Sequence, residues 1–217
     1  MYDARDVRER LNLSVELIPF GQRNRPGQLI RPDHITIHNT GNDAPGADAA
    51  AHSRYVRSGP DVSWHFTVDD MQAIRHLPVD EKGWHAGSRG NARSIGIETC
   101  MHRGVDQPAA NARAALLTAV LLRRIGQGVD RVVPHRRWSA TSCPVLYLRD
   151  WQGFLGMVED RHGRLPPGLD VDEALMLSVE DRGAQPLRAA GPPQADDDEP
   201  DLDHGAIAEA LGPFLTN

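Results

Sequence analysis

The chain has 217 residues, of which 40% are apolar and only 5% aromatic, so it is long enough for one domain with a mostly aliphatic core. Its formal net charge of -6 argues against a nucleic-acid partner, because binding to phosphates requires a net basic face. No stretch of 18 consecutive apolar residues occurs, which excludes insertion into a membrane as a spanning helix. We expect the protein to work as a monomer.

The first residues and the cysteines bear on the cellular compartment. Residues 1–13 carry charges throughout and lack the apolar stretch of a secretory signal, so we expect a cytoplasmic protein without a signal peptide. The two cysteines, Cys100 and Cys143, are too few for a disulfide framework. A cysteine in such a compartment is better interpreted as a metal ligand or a nucleophile, although Cys100 ends an apolar segment and is expected to be a buried hydrophobe.

The first third of the chain predicts two helices and a strand. A short charged helix is expected over residues 3–13, followed by a loop over residues 19–32 that is rich in Gly, Pro, Arg and Asn. Residues 34–38 alternate polar and apolar side chains, which is typical of a strand. The alanine-rich residues 47–58 predict a helix that ends at the following Gly-Pro pair.

The middle of the chain predicts more strands and the longest helix. Residues 64–68 and 73–77 are expected to pair as a hairpin, and residues 94–100 predict a fourth strand. Residues 108–125 carry an apolar stripe at helical spacing, and residues 145–158 predict a final helix. Strands and helices mixed in this way over residues 1–160 predict one α/β domain with helices packed on a sheet.

From about residue 160 the composition changes. Prolines at 166 and 167, a Gly-Pro-Pro segment at 191–193 and six acidic residues between 196 and 203 predict a flexible linker over residues 161–203. Residues 204–217 are expected to form a short terminal helix or to be disordered.

Three residues could bind a metal. His38 ends a predicted strand, His135 follows a proline, and Cys143 lies eight residues beyond His135. Zinc takes imidazole nitrogen and thiolate sulfur in a tetrahedral shell, and a catalytic site keeps one of the four positions open for water. The spacing alone does not separate such a site from three unrelated residues, since ten histidines offer many accidental triples.

The surrounding motifs are more specific. Five segments occur in order, at residues 35–41 (ITIHNTG), 63–70 (SWHFTVDD), 94–98 (SIGIE), 134–135 (PH) and 143–144 (CP). Together they resemble the zinc-dependent N-acetylmuramoyl-L-alanine amidases of type 2, a family that includes phage endolysins, bacterial autolysins and animal peptidoglycan recognition proteins. The resemblance covers roughly residues 15–155 and is strongest to the endolysin and autolysin branch.

The resemblance implies a fold, a reaction and a metal site. The fold would be a mixed central β-sheet flanked by helices, with a groove for the glycan and its stem peptide. The reaction would be hydrolysis of the amide between N-acetylmuramic acid and L-alanine in peptidoglycan by zinc-activated water. His38, His135 and Cys143 match the Zn²⁺ ligands, and Glu98 matches the acidic residue that transfers protons.

Two positions depart from this pattern. Many relatives carry a lysine two residues before the cysteine ligand, where this chain has Thr141, whose neutral hydroxyl would stabilise an oxyanion less strongly. We therefore expect Thr141, the zinc ion itself, or Arg136 or Arg137 to take that role. Some relatives place a catalytic tyrosine where this chain has Trp64, which we expect in the core or along the groove.

Other residues near the motifs are predicted to contact substrate. The predicted substrate-binding residues are Asn39, Thr40, Trp64, His65, Trp84 and His85. His65 could equally well be an internal histidine that bonds to a backbone carbonyl. Trp84 and His85 could equally well belong to an ordinary Gly-rich turn with no role in substrate binding. The histidines without supporting context, interpreted as surface or structural, are His34, His52, His76, His102, His162 and His204.

Three functions stay open at this point. A phage endolysin would degrade intact peptidoglycan after release through a holin-type membrane opening. An intracellular amidase that recycles muropeptides would use the same site on small soluble fragments. The third function is that of a peptidoglycan-binding module without catalysis. The presence of Cys143 argues against this third function and for an active enzyme.

Overall fold

The computed structural model describes residues 2–178, 181 and 204–215. Within them, six strands form a single mixed sheet in the order β1-β4-β3-β5-β2-β6. The strands are β1 (Leu13–Val15), β2 (His34–Asn39), β3 (Phe66–Val68), β4 (Ala73–Arg75), β5 (Ser94–Thr99) and β6 (Val132–Pro134). Only the β3–β4 hairpin pairs antiparallel, and the other neighbours in the sheet are parallel.

Helices flank this sheet, which confirms the predicted α/β fold with a mixed central sheet. Those in the described residues are α1 (Ala4–Leu11), α2 (Ala49–Arg57), α3 (Gly87–Asn91), α4 (Gln107–Ile125), α5 (Trp151–Arg164), α6 (Val171–Ala174) and α7 (His204–Ala210). The final predicted helix starts later than expected, because residues 147–149 form a separate 3-10 turn before Asp150 caps α5. None of the helices in the described ranges is long and apolar enough to cross a membrane.

The two central strands separate the core from a polar face. Side chains alternate along a strand, so Ile35 and Ile37 of β2 and Ile95 and Ile97 of β5 all point the same way. These four residues are fully buried in the main apolar cluster, together with the buried side of α4. The intervening residues, including His38 and Glu98, point to the opposite face.

The predicted start of the linker at residue 161 is wrong. Helix α5 continues to Arg164, and the chain beyond it still packs on the domain. Leu165, Ala174 and Leu175 are buried in the main apolar cluster, and Arg75 donates a hydrogen bond to the carbonyl of Met176. The domain therefore extends to about residue 178, because α6 covers apolar side chains of α1 and α4. The rest of the predicted linker, residues 179–180 and 182–203, lies outside the described residues.

A second apolar cluster joins α7 to the domain. Ile207 and Leu211 are buried against Tyr55, Val56 and Trp64, on the side of the sheet opposite α4. Arg54 donates a hydrogen bond of 2.6 Å to the carbonyl of Phe214, just beyond α7. Residues 204–215 are thus docked on α2.

A buried ion pair holds the long loop before β2. Arg25 contacts both carboxylate oxygens of Glu81 at 2.9 Å, and it also donates to the carbonyl of Ile18. Both side chains are almost completely excluded from solvent, at 3% and 0% exposure. Burying two charges is favourable only while they remain paired.

We predict that Glu81→Gln lowers the free energy of unfolding by about 3–5 kcal/mol, since it leaves the buried Arg25 charge uncompensated. Urea unfolding followed by circular dichroism measures the change. Glu9→Gln is the control, because it breaks the exposed Arg5–Glu9 pair, which water screens, and should leave the free energy of unfolding nearly unchanged. Equal losses in the two variants would contradict a structural role for the buried pair.

Candidate metal centre

The three predicted metal ligands converge. His38, His135 and Cys143 are buried, and one potential ligand atom from each lies within 4.8 Å of the others. Nδ1 of His38 is 3.7 Å from Sγ of Cys143, and the two histidine rings are 4.6 Å apart between centroids. Two imidazoles and a thiol form a donor set that suits zinc.

The sheet explains why residues so distant in sequence meet. His38 of β2 pairs in register with Glu98 of β5, and Ile37 pairs with Pro134 of β6. The first residue after β6 is His135, so both histidines lie at the carboxyl ends of adjacent parallel strands, where α/β proteins commonly bind ligands. The backbone bond from Arg136 N to Cys143 O, of 3.1 Å, folds the cysteine loop back onto this edge.

A second histidine orients the first ligand. Nδ1 of His85 lies 3.1 Å from Nε2 of His38, while Nε2 of His85 lies 3.3 Å from the carbonyl of Ser94. Because a carbonyl only accepts, His85 donates from Nε2, and in its neutral form Nδ1 then accepts from His38 Nε2. That arrangement leaves the lone pair of His38 Nδ1 directed towards Cys143. His85 therefore positions a ligand, and the prediction that it contacts substrate is wrong.

Electrostatics keep His38 in the form that binds metal. Burial lowers the pKa of His38 well below its usual value, and the neighbouring His135, His85 and His204 lower it further. A neutral imidazole is the form that a metal ion requires.

Glu98 lies beside the three residues. It is almost fully buried, and its Oε1 is 3.9 Å from Nδ1 of His38. Its second oxygen, Oε2, is also buried and has no hydrogen-bond partner within residues 2–178, 181 and 204–215. A buried carboxylate with one oxygen unengaged is well placed to accept a proton.

A cavity of about 420 Å³ opens next to these groups, and Asn39, Gly41, Thr141 and Cys143 contribute to its wall. Thr141 is half-buried, and its Oγ1 accepts a 3.2 Å hydrogen bond from Cys143 N. Asn39 accepts a bond from the backbone of Leu146 and thereby supports the cysteine loop, while Thr40 is buried. The substrate contacts predicted for Asn39 and Thr40 stay predictions.

Two of the predicted substrate contacts are structural residues instead. Trp64 is 1% exposed, and its Nε1 donates to Oγ1 of Thr67, which bonds in turn to Nε2 of His76. His65 is fully buried between the carbonyl of Glu81 and the backbone N–H of Gly96. Neither can reach a substrate. Trp84 is half-buried beside Ser63, and its predicted contact stays a prediction.

One residue that the sequence did not single out reaches the site. Nε2 of His204, at the start of α7, lies 3.1 Å from Oε1 of Glu98 and 3.8 Å from Sγ of Cys143. Burial alone would lower the pKa of His204, but Glu98 and Cys143 outweigh it and raise the pKa to about 11. His204 was interpreted as a surface or structural histidine, and the structure places it beside Glu98 and Cys143, to which no motif or spacing in the sequence connects it.

Comparison with known proteins identifies the family. The model of the N-acetylmuramoyl-L-alanine amidase family matches residues 28–145, which is more than half of the chain. The chain belongs to this family. It is 46% identical over 149 residues to N-acetylmuramoyl-L-alanine amidase XlyA of Bacillus subtilis, a match that covers 66% of this chain and 50% of XlyA. With the amidase CwlH of the same organism it is 43% identical over 150 residues, covering 67% of this chain and 60% of CwlH.

Solved structures agree with this assignment. The catalytic domain of XlyA superimposes with a TM-score of 0.66 at 44% identity, and the match covers 68% of this chain and 99% of that domain. A mutant endolysin from Bacillus subtilis gives a TM-score of 0.67 at the same identity, with the same two coverages. The chain thus contains the complete matched domain but spans only 50–60% of the two full-length amidases.

The buried histidines predict how stability depends on pH. Burial lowers the pKa of His65 to about 4 and that of His76 to about 3, whereas an unfolded histidine titrates near pH 6.5. Between these values the unfolded chain binds protons that the folded chain excludes, so the free energy of unfolding falls as the pH is lowered from about 6.5 to 4.

We predict that His76→Gln removes up to about 1.4 kcal/mol per pH unit from this slope, since one titrating group is lost. Urea midpoints between pH 4.5 and 7.5 measure it. A slope identical in wild type and His76→Gln would refute the assignment.

Proposed function

We propose that this chain is a zinc-dependent N-acetylmuramoyl-L-alanine amidase, which hydrolyses the amide bond between N-acetylmuramic acid and the L-alanine of the peptidoglycan stem peptide. The observation that carries the proposal is the convergence of His38, His135 and Cys143 beside the buried carboxylate of Glu98. Membership of the amidase family supports the choice of reaction.

Each residue has a distinct part in this mechanism. His38, held by His85, together with His135 and Cys143 would bind Zn²⁺, which when present supplies a Lewis acid and a water of lowered pKa. Glu98 accepts the proton of the attacking water through its buried carboxylate. It then donates that proton to the leaving nitrogen of L-alanine, so the amine departs in neutral form.

Thr141 is the proposed hydrogen-bond donor to the oxyanion. Its Oγ1 accepts from the backbone of Cys143, which leaves its hydroxyl hydrogen available to the adjoining cavity. Arg136 and Arg137 are exposed, and the guanidinium of Arg137 lies over the ring of Trp138 instead. A neutral hydrogen-bond donor stabilises an oxyanion less than a charged one, so a bound metal ion would supply most of the polarisation of the substrate carbonyl.

The biological role that we propose is that of an endolysin acting on intact peptidoglycan. The similarity to a Bacillus subtilis endolysin at 44% identity supports it. We further propose that the chain reaches its substrate from the cytoplasm after release through the membrane.

We predict that Cys143→Ala loses stoichiometric zinc and amidase activity, because it removes the anionic thiolate and leaves the site with imidazole ligands alone. Elemental analysis measures the metal, and mass spectrometry of digested sacculi detects new L-alanine amino termini. Cys100→Ala is the matched control, since Cys100 is equally buried but bonds to His52 on α2, away from the metal ligands. Zinc loss in the control, or zinc retained in Cys143→Ala, would contradict the assigned ligand.

We predict that Glu98→Gln retains zinc but lowers kcat by about 10²–10⁴-fold, because the amide keeps the shape of the side chain and cannot accept the proton. Steady-state hydrolysis of sacculi and metal content are measured on the same preparation. Glu159→Gln on the exposed side of α5 should behave as wild type. If Glu98→Gln turned over normally, proton transfer would have to be assigned to another group.

A further inference from the structure

The C-terminal segment, residues 204–215, contributes His204 and Gly205 to the wall of the cavity at the candidate site. Its anchors are Ile207 and Leu211, which are buried against α2, and Phe214, whose ring meets the edge of Tyr55 at 5.9 Å between centroids. This segment lies beyond the family match, which ends at residue 145. It is therefore a feature of this chain that the family assignment does not explain.

His204 projects from this segment into the site. The approach depends on a glycine, because a Cβ added to Gly41 would come within 2.6 Å of Cβ of His204. The imidazole is largely buried, with 14% of the side chain exposed, and its Nε2 lies between Oε1 of Glu98 and Sγ of Cys143. This nitrogen thus takes up space beside the metal ligands.

Two distances, both measured to Sγ of Cys143, fit a fourth ligand. Nitrogen and sulfur atoms bound to the same tetrahedral zinc lie about 3.5 Å apart, given ordinary zinc–ligand bond lengths. Sγ of Cys143 is 3.7 Å from His38 Nδ1 and 3.8 Å from His204 Nε2, so both nitrogens stand at nearly that separation. His204 also forms a close set of potential ligands with His38 and Glu98.

We propose that His204 is a removable fourth zinc ligand, and that the C-terminal segment keeps the amidase closed until it is displaced. A zinc site with four protein ligands is a closed, structural type, whereas catalysis needs one position for water. For that, zinc would have to replace the proton on Nε2, so His204 would fill that position in place of its contact with Glu98, the proposed proton acceptor. The proposal rests on the proposed function, because it assumes that the site binds zinc and hydrolyses amides.

Displacement would leave the domain intact. The segment is anchored by a few apolar side chains in a cluster separate from the main core, so it can detach locally while the sheet and α4 stay packed. Twenty-two residues, 182–203, connect it to the last described residue of the domain, which is ample length for it to move away.

The test compares two variants of the full chain. His204→Ala removes the ligand, and Leu211→Glu places a charge in the anchoring cluster while keeping His204. We expect both variants to release zinc to a chelator at least about tenfold faster than wild type, the range seen when groups supporting a metal are lost. We also expect both to hydrolyse sacculi faster. His162→Ala on α5 is the control and should match wild type in both measurements.

The outcomes separate this proposal from the proposed function. If His204→Ala released zinc at the wild-type rate, or hydrolysed sacculi more slowly, His204 would be a bystander or a catalytic group and the proposal would be overturned, while the amidase assignment would stand. If the wild-type chain held no zinc at all, both would fail. Faster zinc release with faster hydrolysis in both variants would establish the closed state.

Discussion

The in-register parallel pairing of β2 with β5 is the constraint on which the rest of the structure depends. Ile35 and Ile37 pair with Ile95 and Ile97, and all four are buried in the main core. The same pairing brings His38 next to Glu98, because side chains alternate between the faces. A shift of one residue in either strand would turn the polar side chains towards the apolar core and the isoleucines towards the polar face. The hydrophobic effect thus fixes the geometry of the reactive groups.

A layer of buried histidines lies on the polar face of the sheet and supports the first ligand. His65 bonds to backbone groups of Glu81 and Gly96, and His85 spans the gap between Ser94 and His38. Gly96 allows this packing, since a Cβ there would lie 2.7 Å from Nδ1 of His85. Buried polar groups of this kind are costly unless they are bonded, so the network also rigidifies the face that carries the site.

Sequence patterns were sufficient for the long elements and for singling out His38, His135 and Cys143, which the fold brings together. Alternation identified β2 and β5, and helical spacing identified α4, because burial of one face imposes these periods. The three-residue strands β1 and β6 are too short to show any period, and they exist because they pair with β4 and β2. Composition misplaced the domain boundary, since Pro166 and Pro167 sit in a turn between packed helices and not in free chain.

The side chains around the site were harder to predict, because their contacts form only between parts of the chain that the fold brings together. Trp64 and His65 stand inside a family motif, yet their partners are Thr67 and the backbone of Glu81, which only the folded chain brings together. His204 is 61 residues from Cys143 along the chain and meets it only through the docking of α7 on α2. Sequence separation of this size leaves no local pattern.

The packing of α6 on α1 has a consequence for how the protein is made. Helix α1 begins at Ala4, and the apolar surface that it shares with α4 is covered by Ala174 and Leu175. Helix α1 is synthesised about 160 residues before the segment that completes its core. Contacts between such distant parts of a chain slow folding. A nascent chain would expose the apolar surface of α1 until residues near 175 follow, and exposed surface of this kind favours chaperone binding.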